Sequence, residues 1–257
     1  RQNNILSLWQ SLADNFYPER ADFRFQRVLG SELADATVDS YPILARRDLG
    51  NSFHAMLRDG RWFELDTNPD RTIDREGKHW LQRATAIQFR AMNDRKANFD
   101  RAVKNGDHDF ATFGNAVLSI EPNRNMNGLV YRSWHLRNCA WEEDETGMVQ
   151  TVARKWTPTM HTLVETFGLD KLSPAMKKKY EKTPFETTEV THVVMPAVLT
   201  HNDKWVGKTK FVSYFLACEG GEHMIEEKGI NYPYYAVPRF QTIAGSPYAY
   251  SPATIAA

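Results

Sequence analysis

Apolar residues at three- and four-residue spacing open the chain. Ile5, Leu8, Trp9, Leu12, Ala13 and Phe16 predict an amphipathic helix, and Pro18 ends it. A polar, irregular stretch follows over 19–40. A second helix is expected from about Pro42 to Leu57, with Leu44, Leu49, Phe53, Ala55, Met56 and Leu57 as its apolar content and Asp59-Gly60 closing it. Arg61 to Asp66 alternates as a short strand that Asn68-Pro69 stops. From Gly77 to Lys104 no proline and no interior glycine interrupts the pattern. Trp80, Ala84, Ile87 and Ala91 mark one face there, and Phe99 and Val103 continue it. This predicts one long helix of roughly 40 Å at 1.5 Å per residue. Asn105-Gly106 is expected to stop it, with Asp107 capping a short successor.

Beyond that point the β pattern dominates. Strands are expected over Asn115–Glu121 and Gly128–Trp134, and a hairpin over Ala140–Trp156 turning at Glu145-Thr146-Gly147. Two short helices are expected between Pro158 and Lys182, the second opened by Ser173-Pro174. Thr188–Met195, Phe211–Ala217 and Met224–Glu227 read as further strands, with Gly220-Gly221 as a turn. The fold class is α+β: a helical N-terminal part and a long central helix packed on antiparallel strands. No internal repeat or low-complexity segment is present.

The 257 residues are 42% hydrophobic and 25% charged, ordinary for a globular chain that can bury a core without staples. Lys plus Arg and Asp plus Glu each number 32. Zero net charge excludes a protein that grips nucleic acid over most of its surface, though a local basic face stays open. The two cysteines, Cys139 and Cys218, form neither a disulfide framework nor a C-x-x-C pair, which favours a reducing compartment and thiols used as small hydrophobes. No apolar run is long enough to span a membrane, and no signal-peptide core is present. The chain opens on Arg1 rather than Met. Ser251-Pro252 starts a helix that has only a few residues left to run, so a longer protein is expected.

Candidate chemistry is thin. Gly207-Lys208-Thr209 imitates the end of a phosphate-binding loop, but Asn202 replaces the earlier glycine and a strand, not a helix, follows. Pro69-Asp70 with Glu76-Gly77-Lys78 has the residue types of a metal-dependent nuclease, yet the gap is too short for a hairpin and its residues are polar. Asp107-His108-Asp109 could ligate a metal, but adjacent positions point to different sides; a capping Asp beside an exposed His is the simpler reading. The eight histidines are scattered and no Gly-x-Ser-x-Gly elbow occurs. No catalytic, metal or cofactor-binding residue is assigned.

Charge segregation is more informative. Residues 77–104 carry seven basic side chains, Arg83, Arg90 and Arg101 among them, against two acidic ones. Residues 171–182 hold five lysines and one acid. Against these stand Glu142-Glu143-Asp144-Glu145 at a hairpin tip, and Glu219, Glu222, Glu226 and Glu227 around another. Solvated faces are one reading. Opposite patches on one neutral chain also suit a head-to-tail ring contact, so Arg83, Arg90 and Arg101 are candidates for one subunit surface and Glu142, Glu143 and Glu145 for the other.

Several segments in order resemble the head-to-tail connector, or portal, proteins of short-tailed bacteriophages. They are Leu8-Trp9 through Phe16-Tyr17-Pro18-Glu19-Arg20-Ala21-Asp22-Phe23, and Ser40-Tyr41-Pro42 through Ala45-Arg46-Arg47-Asp48-Leu49-Gly50-Asn51. Asp109-Phe110-Ala111 with Phe113-Gly114-Asn115-Ala116, Tyr131 to Asn138, and His192-Val193-Val194-Met195-Pro196 follow. Pro233-Tyr234, Val237-Pro238-Arg239-Phe240, Gly245-Ser246-Pro247-Tyr248 and Ser251-Pro252 complete the series. Ala249 departs from the pattern, standing where many relatives carry Gly. Gly50 and Gly114 read as sites of close backbone approach or a sharp helix exit. Arg46 and Arg47 on the second helix call for carboxylate partners, Asp48 or an acid of a neighbouring subunit.

The resemblance implies a ring of about twelve subunits at one capsid vertex, the conduit for packaging and ejecting double-stranded DNA and the attachment point of the tail. Residues 1–257 would form the N-terminal, wing-like region, with stem and clip regions C-terminal to it. Implied partners are a packaging motor (terminase), major capsid and scaffolding proteins, a tail or adaptor protein, and non-specifically contacted DNA. There would be no membrane and no cofactor. The location implied is the virion, after assembly in the host cytoplasm. The expected role is structural rather than enzymatic. A metal-dependent nuclease or other DNA-processing enzyme of a phage, and a monomeric binding module of the virion, are the rival readings.

Overall fold

The computed structural model describes residues 3–25, 30, 39–68, 71–123, 125–217 and 223–256. The chain divides into two compact units, Arg1–Trp134 with Ala236–Ala257, and His135–Tyr235. Cys218, Glu219, Glu222, Gly220-Gly221 and Pro69-Asp70 lie outside the described residues.

In the first unit, helix α1 (Asn3–Phe16) buries Trp9, Leu12 and Ala13, the stripe its spacing predicts. A 3₁₀ turn at Pro18–Arg20 ends it. Helix α2 (Tyr41–Leu57) starts where the Asp39 carboxylate accepts the Tyr41 N–H at 2.9 Å, and buries Arg46 and Gly50. The strand expected at 61–66 does not form. Its alternating residues are used otherwise: Phe63 meets Phe89, Trp62 stacks on Phe99, and the Leu65 N–H bonds Thr85 Oγ1 at 3.0 Å.

The single long helix expected over 77–104 is two helices, α3 (Arg75–Met92) and α4 (Phe99–Phe113). Side-chain competition for the backbone breaks it, not Gly or Pro. Asp94 Oδ1 accepts the Lys96 N–H at 2.8 Å, and Asn98 takes a left-handed conformation at φ 60°. Strand β2 (Leu129–Trp134) then claims the turn, because the Tyr131 N–H donates to the Ala97 carbonyl at 2.8 Å. Helix α4 also runs straight through Asn105-Gly106, the expected stop. Gly106 lies against Leu118 of β1 (Val117–Pro122), where an added Cβ would come within 3.2 Å. Hence Asp107 is a buried mid-helix residue and not a cap. The helix ends at Gly114, φ +69°.

Strands β1 and β2 pair antiparallel from Val117↔Trp134 to Pro122↔Leu129. In the second unit, β3 (Cys139–Glu143), β4 (Val149–Trp156), β5 (Val190–Pro196), β6 (Phe211–Ala217) and β7 (His223–Ile230) form an antiparallel meander in chain order. Helices α5 (Met160–Phe167) and α6 (Pro174–Lys182) start at Thr159 and Ser173, whose hydroxyls accept the Thr162 and Met176 N–H groups. Met160, Leu163, Leu172 and Met176 pack on Val190, Ala217 and Ile225. Ala236, back in the first unit, belongs to β8 (Tyr235–Ala236), third in the order β2-β1-β8. Strands β9 (Gln241–Ile243) and β10 (Ser246–Tyr250) and helix α7 (Pro252–Ala256) follow. The α+β class expected from the pattern is the observed one.

A polar chain crosses the second unit's core. Arg154 Nε donates to the Tyr235 hydroxyl at 2.7 Å, and that hydroxyl lies 2.5 Å from His192 Nδ1. The guanidinium can only donate, so the hydroxyl oxygen accepts from it, and the other ring nitrogen of His192, Nε2, lies 2.8 Å from Ser213 Oγ. Phe215 covers the ring at 4.0 Å. Burial, then the Arg154 charge, lowers the His192 pKa to about 3. Unfolded, it returns to about 6.5. Between those values the unfolded chain takes a proton that the folded chain refuses, so stability falls with falling pH by up to about 1.4 kcal/mol per unit. The variant His192→Gln should be less stable at pH 7 and the gap should narrow towards pH 4, read as urea midpoints. A gap constant with pH would contradict the neutral buried imidazole.

Candidate functional site

Of the segments that resemble the phage connector family, those of the first unit around Tyr17–Phe23, Arg46–Gly50, Asp109–Ala116 and Tyr248–Ser251 meet at α4. Asp109 is almost fully buried, its side chain 1% exposed, and Arg20 clamps it with Nε to Oδ1 at 3.1 Å and Nη2 to Oδ2 at 2.7 Å. Asp107, about half a turn around the helix, receives Arg58 Nη1 at 2.7 Å and Nη2 at 3.0 Å. Burial raises the Asp107 pKa against the opposing pull of Arg58. Burial pulls the Arg20 pKa down, but the Asp109 charge and hydrogen bond, with Tyr17 and Asp22, together outweigh it and hold the pKa above the ordinary value. Arg20 leaves the turn after α1 and Arg58 leaves the end of α2, so two paired charges tie both exits to α4.

Between them lies Arg46. It stands 3.9 Å over the Tyr17 ring, donates to the Phe16 carbonyl at 3.1 Å, and lies 3.2 Å from His108 Nδ1. Burial first, then the charges of Arg46 and Lys104, lower the His108 pKa to about 4, so a neutral ring accepts from Arg46. A Cβ on Gly50 would come within 2.2 Å of His108 Nδ1. Glycine is therefore required for α2 to lie this close to α4. The expected partner Asp48 is exposed and unused by Arg46, whose nearest carboxylate is Glu19 at 3.9 Å. Arg47 is exposed. The expectation that His108 is an exposed residue beside a capping Asp is likewise corrected, because α4 continues past the predicted stop.

The end of α4 is locked by the last motif. Buried Asn115 Nδ2 donates to the Phe113 and Ala249 carbonyls, and the Ala249 N–H donates back to Oδ1 at 2.9 Å. Ser251 Oγ donates to the Thr112 carbonyl at 2.6 Å. A Cβ on Gly114 would meet the Tyr250 backbone at 2.5 Å. Trp9 gathers Phe23, Phe113 and Tyr248 around it. Chemically this centre holds segments together: each buried carboxylate of α4 is occupied by a guanidinium. Among the described residues no group of three or more His, Cys, Asp or Glu could hold a metal, and no helix is long and apolar enough to cross a membrane.

The predicted surface residues fall elsewhere. Arg83 and Arg90 are exposed on α3, and Arg101 is exposed on α4, so the basic surface is shared by two helices rather than lying on one. Glu142 and Glu145 are exposed and Glu143 half-buried around the β3–β4 turn of the second unit. Asp144 is used within that turn, accepting from the Thr146 and Met148 N–H groups at 2.9 Å each and from Gln150. These hydrogen bonds, the Thr146 hydroxyl first, lower its pKa. Lys171 pairs with Glu226 and Lys179 with Glu186. Sequence reasoning overlooked that Trp80 and Ile87 are outward-facing at 68% and 55% exposure, and that Met148 stands 62% exposed at the acidic tip. The 3.6-residue stripe was visible, but a stripe does not say what covers it.

The family model described as bacteriophage head to tail connecting protein matches residues 1–257. The chain is 25% identical over 258 residues to a portal protein of Salmonella phage epsilon15, covering 95% of this chain and 45% of that relative. It is 26% identical over 257 residues to a probable portal protein of Bordetella phage BPP-1, covering 96% and 45%. The chain thus spans about half the length of the curated relatives it matches.

Removing one partner of a buried ion pair costs about 3–5 kcal/mol, because the other charge is left in the interior. Arg20→Leu should therefore lower the stability of the first unit by about 3 kcal/mol, measured by chemical denaturation. Arg47→Leu, at an exposed neighbour position, should stay within about 0.5 kcal/mol. Equal effects would contradict the assigned role of the Arg20–Asp109 pair.

Proposed function

The chain belongs to the bacteriophage head to tail connecting protein family, and on that premise we propose that it forms the N-terminal, wing-like region of a portal subunit. The subunits would close into a ring at one capsid vertex, through which double-stranded DNA is packaged and ejected and to which the tail attaches. The observation that carries this reading is the family match over the whole chain, together with its similarity to two portal proteins of phages. The role is structural. Partners under this reading are further copies in a ring of about twelve, a packaging motor, the capsid and scaffolding proteins, a tail or adaptor protein, and DNA sliding past without specific contacts. A net charge of zero suits passage better than grip, because each neutralised phosphate adds to affinity. Assembly in the host cytoplasm and residence in the virion follow from the same reading.

The nuclease alternative draws no support from the family match or from the two portal relatives, and Asp70, on which its candidate site drew, lies outside the described residues.

A cyclic ring needs two different, matching surfaces on each subunit. Arg83, Arg90 and Arg101 on one unit and Glu142, Glu143 and Glu145 on the other supply charges of opposite sign. Exposed pairs contribute little each, roughly 0–1 kcal/mol, but like charges set face to face would oppose wrong registers. In the full-length protein, reversing Arg83, Arg90 and Arg101 to Glu should raise the concentration for half-assembly about tenfold, equivalent to ~1.4 kcal/mol. Circular dichroism should stay unchanged, and reversing the three glutamates to Lys in the same chain should recover assembly. Normal ring formation by the first variant, measured by mass photometry at moderate salt, would contradict the charge assignment.

A further inference from the structure

Helix α3 has two faces of different character. Thr85 and Met92 are buried and Leu81 and Phe89 half-buried on the inner one. Trp80, Arg83, Ile87 and Arg90 recur at three- and four-residue steps on the outer one and are all exposed. An isolated exposed apolar residue means nothing, but a tryptophan and an isoleucine one above the other, flanked by two arginines, form a patch. Its composition is that of a protein interface, with an aromatic centre and an arginine rim. The β3–β4 turn presents the converse. Met148 projects from it at 62% exposure, on a turn whose Glu142 and Glu145 are also exposed. The turn is also pre-ordered, since the Asp144 carboxylate holds Thr146, Met148 and Gln150 at once. Little entropy would be lost on docking such a tip.

We propose that the outer face of α3 on one subunit receives the β3–β4 tip of a second copy, with Met148 seated between Trp80 and Ile87 and with Glu142 and Glu145 against Arg83 and Arg90. The proposal rests on the ring reading above and adds its apolar centre. The occupant is a copy of the same chain because this chain's own tip carries the matching knob and the matching charge. Methionine suits the position, being unbranched and able to fill an irregular gap against an aromatic ring. The charges then act as the rim of a contact whose affinity comes from apolar burial.

The test uses the full-length protein with Cys218→Ser, carrying Ile87→Cys and Met148→Cys, while Cys139 is buried. Assembly is confirmed by mass photometry before mild oxidation. Non-reducing gels should show covalent dimers and a ladder above them, at least tenfold more than for Gln82→Cys with Met148→Cys. Gln82 is exposed but lies about 200° around the helix from Trp80. Where the Ile87→Cys/Met148→Cys protein fails to assemble, Arg90→Cys with Glu145→Cys at the rim reads the same contact. Intact rings with no more ladder than the control overturn the docking and leave the ring reading standing. A wild-type protein that forms no rings overturns both.

Discussion

A carboxylate withdrawn from water must meet a cation or lose its charge, and α4 carries two within three residues. Asp107 and Asp109 stand on different sides of that helix, and each is met by an arginine from the exit of a different earlier helix. The rest of the first unit is arranged around this requirement. α1 and α2 are brought against α4, and Arg46 fills the space between by lying on Tyr17 and His108. Gly50 lets the backbone come close, and Asn115 and Ser251 fasten the C-terminal segment over the same helix's end. Buried ion pairs add little net stability compared with apolar residues of the same shape, but they define one arrangement because every other leaves a charge stranded.

This explains how residues dispersed along the chain come to act together. Tyr17, Arg20, Arg46, Gly50, Asp109, Gly114, Asn115 and Ser251 all lie on or against α4. They hold the first unit's segments in place, whereas Trp80, Ile87 and Met148, outside those segments, are exposed.

The antiparallel strands, the two short helices after Pro158, the Ser173-Pro174 start of the second and the glycine exit at 114 were legible from alternation, caps and glycine, because those signals are local. The break at 93–98 was not, since it depends on Asp94 and Asn98 competing for backbone groups and on β2 bonding the turn from far along the chain. The continuation through Asn105-Gly106 was hidden for the same reason: Gly106 is kept by its contact with Leu118, not by helix propensity. Misplacing that helix end turned Asp107 into a cap and His108 into a surface residue. The pairing of Arg20 with Asp109 spans 89 positions, and no spacing rule reaches that far.

The central claim is that this scaffold serves as one segment of a closed ring. The most direct measurement is the mass distribution of the purified wild-type full-length protein by mass photometry, with the same sample viewed in negative stain. The account predicts one dominant multi-subunit mass and annular particles with a central hole. A population that remains monomeric or dimeric at micromolar concentration and moderate salt would contradict it.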